Sequence, residues 1–385
     1  MNKTTRNTVS SIGIAMLFSA NAIAYTIGNY DLNKIFYVIS FLLISSMTRR
    51  ITLTMSQVIF FLVTSLFLLS YFISSNEFTV TKAYVFYFLL FYFTAFLACG
   101  EELNYRKIYL SLTFMLLLCL PIVIKTQLKP ESYDIGLLMG ISYSILPLYI
   151  SSLIVLFNEK RWFYKITSGI NFLAFGYFFL TKANRGALFC VILFILLSIL
   201  YSRNISLKRK YGITAAGTIL GLLIYKNLFF ILNSLHNILG FFNVNIYALE
   251  KSINLLDTNQ NFDNGRYFLI DKGLETMEGI KDLIFGKGIG FYENKFDIYI
   301  HNVFVQYFIE GGLIYLSLLI YFLVVYFKNY FKVNKNDNLF FTFILTSSLI
   351  PLTLSNVYWL TPMYWFSVVF ILRNFSNKKN YRIVI

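Results

Sequence analysis

Charged residues are scarce in this chain, and their scarcity argues against a soluble fold of the same length. Asp, Glu, Lys and Arg make up 13% of its 385 residues, whereas hydrophobic residues make up 57% and aromatic residues 19%. A typical soluble domain carries about 25% charged residues. The composition therefore predicts a polytopic membrane protein, with no soluble domain at either end.

Cysteine and histidine are also rare, which argues against disulfide and zinc chemistry. Cys99, Cys119 and Cys190 fall in or at the ends of apolar runs and lack disulfide or metal-site spacing, so we predict that they are small core residues. Two histidines, His236 and His301, without a cysteine pair make a zinc site improbable. The Asp and Glu residues of the long polar segment could still bind a hard cation, so that alternative stays open. The sequence predicts no metal and no cofactor.

Apolar runs dominate what is present, and their lengths predict about twelve transmembrane helices in an all-α fold. The runs at 34–47 and 358–372 are short for a span. The first run also resembles a signal peptide, because Lys3 and Arg6 precede it and Ala20-Asn21-Ala22 resembles a cleavage site; a first signal-anchor helix explains the same features. The runs lie near 9–27, 34–47, 51–73, 80–99, 106–124, 136–157, 162–180, 186–202, 211–232, 301–327, 338–356 and 358–372.

The net charge of +15 is distributed unevenly between alternate loops. If the amino terminus is cytoplasmic, about 20 Lys and Arg lie in inward segments, whereas about six lie in the short outward loops. The positive-inside rule then predicts that both termini are cytoplasmic and gives no reason to expect a nucleic-acid partner. The predicted regions are a helical bundle of about nine spans at 1–232, an extracytoplasmic loop at 233–300, and helices with a cytoplasmic tail at 301–385.

Ionisable residues are nearly absent inside the spans. Transporters usually keep such residues at mid-membrane depth, because the cargo must be handled there. Glu310 is the main exception, roughly 13 Å into a helix that starts near His301. A polysaccharide flippase or other transporter is therefore an alternative that the spans disfavour.

The outward segments nevertheless carry conspicuous cations, among them Lys182, Arg185 and Arg266. A guanidinium fork matches the paired oxygens of a phosphate or diphosphate, so we interpret the two arginines as anion-binding. Apolar residues at helical spacing over 264–285 predict one amphipathic helix that lies on the membrane surface or on the spans. Asp263 or Asn264 would cap this helix and place Arg266 in its first turn; a plain surface helix with Arg266 paired to Asp263 is the structural alternative.

Three alternating glycines and a histidine follow that helix. Gly286-Lys287-Gly288-Ile289-Gly290 lacks the ending and the βαβ context of a nucleotide loop, so it predicts a close backbone turn. His301 opens the next span at the water–lipid boundary, where an imidazole can accept a proton. His236 has no arginine or glycine motif beside it, and we interpret it as an ordinary interfacial residue.

Four short motifs of this region occur in order: Asn264-Gly265-Arg266, a Phe285-Gly286-x-Gly288-x-Gly290 turn, His301-Asn302 and Glu310-Gly311-Gly312. Their order, spacing and common outward face resemble the O-antigen polymerase and O-antigen ligase superfamily. The Arg185 loop resembles that family's earlier outward arginine, which also precedes a span. The resemblance covers the helix number and the region 181–312, whereas the first 180 residues match only as generic spans.

The resemblance implies a GT-C-type membrane glycosyltransferase of the bacterial inner membrane, with an extracytoplasmic active site and a polyprenyl-diphosphate-linked sugar donor and acceptor. Arg185 and Arg266 would hold the diphosphate, and His301 would orient or deprotonate the attacking hydroxyl. Membrane lipids and a chain-length regulator are further candidate partners. A Wzy-type polymerase is favoured over a ligase that transfers the glycan to lipid A–core. The remaining candidate substrate-binding residues are Asn264, Gly265, Lys182, Lys287, Gly288 and Asn302.

Overall fold

The fold was analysed in a computed structural model, which describes residues 3–48, 52–74, 79–100, 103–128, 135–182, 185–200, 212, 228–241, 249, 253, 266–331, 335–355, 357–376 and 383–384. This part of the chain is almost entirely helical, as predicted. Its only described strands are two residues each and pair Thr52 with Val384. The helices are α1 (Lys3–Ile27), α2 (Leu32–Met47), α3 (Met55–Ser74), α4 (Thr79–Gly100), α5 (Tyr105–Leu118), α6 (Leu120–Leu128), α7 (Ile135–Asn158), α8 (Trp162–Thr181), α9 (Arg185–Leu200), α10 (Leu228–Phe241), α11 (Arg266–Leu274), α12 (Gly279–Phe285), α13 (Phe291–Phe296), α14 (Val303–Tyr330), α15 (Lys335–Ile344), α16 (Ile350–Leu354) and α17 (Pro362–Ser376).

Eleven of the twelve predicted apolar runs contain helices of this set, and most of the twelfth, 211–232, lies outside the described residues. α10 crosses the predicted region boundary between 232 and 233. Among the described residues, five helical stretches are long and apolar enough to cross a membrane, and five further apolar helices have 10–17 residues. The long stretches are Thr4–Ile27, Lys82–Gly100, Tyr105–Leu128, Gly136–Asn158 and Val303–Tyr330.

Large apolar side chains cover the outer faces of the bundle. Leu173 on α8 is 73% exposed and Leu66 on α3 is 64% exposed, which would be costly over so many positions in water. Inside, small residues allow close helix contact, because a Cβ on Gly13 of α1 would lie 2.8 Å from Ile44 of α2. These features support a membrane-embedded helical bundle.

The predicted amphipathic helix over 264–285 is wrong as a continuous element. The structure has two helices, α11 and α12, separated by a turn in which Thr276 N and Oγ1 both donate to the Gly273 carbonyl. Gly279 then adopts a φ of 78°, a left-handed conformation that interrupts an α-helix. The spacing of the apolar residues does not reveal this break, because the helical spacing continues across the turn.

A tight turn at 286–290, here called the glycine turn, docks onto a kink in α14. Gly311 and Gly312 leave helical geometry, so nearby carbonyls of α14 need other donors. The glycine turn supplies them: Lys287 N donates to Ile309 O at 2.8 Å and Gly288 N to Glu310 O at 2.9 Å. The predicted close backbone turn is therefore present, and its partner is a helix of this chain.

We expect Gly286→Ala to destabilise the protein more than Gly279→Ala. Both glycines have a positive φ, but a Cβ on Gly286 would collide with the Gly311 nitrogen, whereas a Cβ on Gly279 meets nothing within 4 Å. The strain shared by both variants is about 1–3 kcal/mol, and only Gly286→Ala also separates the turn from α14. Equal losses of apparent melting temperature in detergent would show that the docking contributes nothing.

Candidate functional site

A cavity of about 460 Å³ lies at one end of the bundle. It is formed by the end of α1, the beginnings of α2 and α7, Tyr299 before α14, and the chain between α16 and α17. None of the described residues that line it is charged. Its lining is instead rich in tyrosine and asparagine: Tyr25, Tyr30, Tyr37, Tyr87, Tyr143, Tyr299, Asn21 and Asn33. We call it the tyrosine cavity.

A polar network fixes part of the lining. Asn21 Oδ1 accepts hydrogen bonds from Asn33 Nδ2 at 2.9 Å and from the Tyr37 hydroxyl at 2.7 Å. These bonds join α1 to α2, so the amide and phenol groups hold defined positions. A rigid wall of polar groups on aromatic rings suits a ligand with both hydroxyl groups and apolar faces.

His301 lies beside this cavity. Its Nδ1 is 2.9 Å from Ser355 Oγ, and the centroid of its ring lies 4.5 Å from that of the Tyr299 ring in a T-shaped arrangement. Ser355 and Tyr299 both line the tyrosine cavity. The imidazole of His301 therefore contacts two residues of the cavity wall. The hydrogen bond fixes the orientation of the ring, with the roles of donor and acceptor set by the tautomer.

Asn302 has a local structural role. α14 begins at Val303, two residues later than predicted, and Asn302 Oδ1 caps it by accepting hydrogen bonds from Phe304 N at 2.9 Å and Val305 N at 3.3 Å. Helix starts leave such amides without partners, which the asparagine supplies. His301 is thus held before the helix rather than within it.

Arg185 is the first residue of α9 and lies near the same cavity. A Cβ on Gly186 would collide with the Tyr143 hydroxyl and would come within 3.4 Å of Leu354. Tyr143 lines the tyrosine cavity, and Leu354 precedes Ser355. The start of α9 therefore approaches both the cavity wall and the partner of His301. Lys182 is the C-cap of α8 in the preceding turn, where its amide donates to Phe178 O at 2.8 Å.

Arg266 begins α11, but the structure describes only its backbone; Asn264 and Gly265 lie outside the described residues. α11 itself is firmly placed. The Tyr292 hydroxyl donates to Leu269 O at 3.0 Å, and Gly273 lies against Ile309 of α14. These contacts tie the segment that carries Arg266 to the helix that follows His301.

The other predicted substrate-binding residues have partners within the chain. The Lys287 ammonium forms an ion pair with Asp282 at 2.5 Å, and its hydrogen bond to Asp282 lowers the pKa of that carboxyl. The Gly288 amide is bonded to α14, as described above. His236 lies in α10 and is half-buried.

Glu310 is fully buried where the glycine turn meets α14. Its carboxylate accepts hydrogen bonds from the Tyr358 hydroxyl, from Trp359 Nε1 at 3.2 Å, from Gln306 Nε2 at 3.1 Å and from Gly290 N at 3.3 Å. Sequence reasoning identified Glu310 as unusual but assigned it none of these partners.

Within the described chain, no group of three or more His, Cys, Asp or Glu residues is arranged to hold a metal ion. Cys99, Cys119 and Cys190 are buried and unpaired, as expected of small core residues. Comparison with protein-family models, with curated proteins and with solved structures finds no match for this chain.

Proposed function

We propose that this chain is a membrane glycosyltransferase of the O-antigen polymerase type, which transfers a growing glycan from one polyprenyl diphosphate carrier to the next lipid-linked repeat unit. The observation that carries the proposal is His301 held by Ser355 beside the uncharged tyrosine cavity. It brings a proton acceptor to a space lined by the aromatic and amide groups that suit a sugar.

The size and chemistry of the cavity fit that substrate class. Its volume of about 460 Å³ lies within the range of about 300–1,000 Å³ typical of small-molecule sites. Tyrosine rings offer flat apolar surfaces to the C–H face of a sugar, while their hydroxyls and the amides of Asn21 and Asn33 offer hydrogen bonds. A transported ion would instead call for charged groups, which the described lining lacks.

The proposed reaction divides the work between the arginines and the histidine. An acceptor hydroxyl oxygen bonds to the anomeric carbon of the donor as the bond from that carbon to the diphosphate oxygen breaks. Arg185 and Arg266 stabilise the charge that develops on the diphosphate, and the hydroxyl proton passes to His301. In the proposed tautomer His301 Nδ1–H donates to Ser355 Oγ, whose own hydroxyl donates to Met139 Sδ, so the unprotonated Nε2 accepts the proton. Lys182, in the turn that precedes Arg185, supplies a further positive charge.

The proposed active face is extracytoplasmic. The tyrosine cavity gathers residues from segments that the charge distribution places outside, whereas Asn7 of α1 and Asn158 of α7 line a second cavity with Arg106 and Arg161. Asn7 and Tyr25 are 18 residues apart on α1, roughly 27 Å, so the two cavities lie at opposite ends of the bundle. If impermeant thiol reagents labelled the Lys295→Cys variant only from the cytoplasmic side, this orientation would be wrong.

Deletion of the protein distinguishes the candidate functions. Loss of a polymerase leaves a single repeat attached to lipid A–core, loss of a ligase leaves polymer on the lipid carrier, and loss of a flippase leaves repeat units on the cytoplasmic face. We expect the first pattern. Either of the others would replace the polymerase proposal with that alternative.

Complementation of the deletion strain tests the arginines. We expect Arg185→Lys and Arg266→Lys each to restore little polymer, because lysine keeps the charge but lacks the paired donors that match a diphosphate. The matched control is Arg161→Lys at the opposite end of the bundle, which should restore normal chain length. Glycan length on gels and protein amount in membranes are the measurements. Wild-type chain length from both test variants would show that the diphosphate is held elsewhere.

A further inference from the structure

Two buried polar atoms beside Glu310 have no hydrogen-bond partner: Glu293 Oε2 and Gln306 Oε1. Their side chains already touch, because Gln306 Nε2 donates to Glu293 Oε1 at 2.9 Å. Gln306 is 1% exposed, so water cannot readily satisfy its oxygen. A buried polar atom without a partner destabilises the folded state, so two such neighbouring atoms need an explanation.

The two unpaired oxygens are the atoms that bond to each other in a carboxylic acid–amide contact, where one of them carries a proton. In such a contact the amide NH₂ donates to the carbonyl oxygen of the acid, and the acid O–H donates to the amide oxygen. The first of these bonds is present. One proton on Glu293 Oε2 would create the second and would satisfy both orphans at once.

The surroundings also disfavour a second negative charge. Gln306 Nε2 bonds to Glu293 at 2.9 Å and to Glu310 at 3.1 Å, so the two carboxyl groups share one donor. Glu310 has the further donors of a carboxylate, namely Tyr358, Trp359 and Gly290. Two ionised carboxylates this close in a buried site are strongly unfavourable.

No described cation offsets the charge of Glu293. Lys295 on the same helix lies over aromatic rings, 5.4 Å from the Phe296 centroid. The titratable groups that interact with the Glu293 carboxyl are Glu310 of α14, Tyr84 of α4 and Tyr292 of α13 itself. None of these groups is positively charged.

We propose that Glu293 is a proton-binding site: its carboxyl carries a proton on Oε2 and donates it to Gln306 Oε1, which fastens α13 to α14. The proton neutralises one member of the Glu293–Glu310 pair and leaves the other as a carboxylate. Because α13 directly precedes the segment 297–302 that contains His301, the same bond holds the proposed catalytic segment against the bundle.

The proposal predicts a defined pH dependence. Burial raises the pKa of Glu293 above its ordinary value of 4.5, and hydrogen bonds from its own backbone amide and from Tyr84 only partly offset this. Above pH 4.5 the unfolded chain releases this proton whereas the folded protein keeps it, so stability falls as the pH rises from the ordinary pKa towards the higher pKa of the folded state. We expect the apparent melting temperature of the detergent-solubilised protein to fall by roughly 5 °C from pH 5 to pH 9.

Glu293→Gln is the decisive variant, since its amide can donate to Gln306 Oε1 at every pH. We expect it to match the wild type at low pH and to lose most of the pH dependence. Glu275→Gln, the same change at an exposed acid of this segment, should keep the wild-type slope. A wild-type melting temperature that does not change with pH, or a Glu293→Gln variant that keeps the slope, would overturn the proposal.

Infrared spectra of the intact protein locate the proton independently. We expect the C=O band of a protonated carboxyl group at about pH 6, absent from Glu293→Gln. A band that persists in Glu293→Gln and disappears in Glu310→Gln would move the proton to Glu310. Recovery of stability at high pH by sodium ions, but not by choline, would show that a cation bridges the orphan oxygens instead. Both results contradict the proposal.

Discussion

Glu310→Ala is expected to destabilise the protein by at least about 3 kcal/mol, because it leaves several buried donors without an acceptor, each costing about 1–3 kcal/mol. The donors come from three parts of the chain: Gly290 of the glycine turn, Gln306 of α14, and Tyr358 and Trp359 before α17. Glu310 therefore joins these parts at one point. We expect a large fall in the apparent melting temperature and a smaller yield of monodisperse protein in detergent.

Two further variants separate the contribution of the acceptor from that of volume. Glu310→Gln keeps the shape and one acceptor oxygen, but its NH₂ group faces a donor that cannot reverse its role, the Trp359 indole. The apparent melting temperature of Glu310→Gln should lie between those of the wild type and Glu310→Ala. Glu275→Ala, at an exposed acid, should have little effect. If Glu310→Ala melted like Glu275→Ala, the carboxylate would not be the point at which these parts are joined.

The helical character of the chain could be predicted from the sequence because lipid-facing and core-facing residues are both apolar there. Eleven runs of such residues contain helices. The same uniformity means that the sequence does not indicate which helices are in contact, because an apolar run has no pattern that distinguishes the face packed on a neighbour from the face in lipid. The approach of α9 to Tyr143, for example, becomes visible only from the close fit at Gly186.

The glycine motifs show a second limit to what the sequence alone can predict. Alternating glycines at 286–290 predict a close turn, and Glu310-Gly311-Gly312 is a separate motif in the next span. Nothing local in either motif shows that one supplies amides to the carbonyls exposed by the other. Similarly, Ser355 is 54 residues from His301, and Tyr358 is 48 residues from Glu310. Such pairs depend on tertiary packing, for which a single sequence gives no signal.

His301→Ala is expected to reduce glycan transfer by about 100- to 10,000-fold, the usual contribution of a general base. The experiment uses purified protein with lipid-linked donor and acceptor, so that transport and assembly do not affect the result. Donor binding should survive, because the proposal assigns the diphosphate to Arg185 and Arg266. His236→Ala, at the chain's other histidine, is the matched control and should be close to wild type.

Conservative variants distinguish proton transfer from positioning. His301→Asn and His301→Gln can keep a hydrogen bond to Ser355 but cannot accept a proton at neutral pH. If His301 acts as the base, they should be nearly as inactive as His301→Ala. Ser355→Ala should keep the imidazole but release its orientation, so we expect an intermediate loss of turnover. Asn302 already caps α14, so none of these variants should remove the helix cap. Wild-type turnover by His301→Asn would restrict His301 to a structural role, and wild-type turnover by His301→Ala would leave a reaction driven by diphosphate departure, with no protein base.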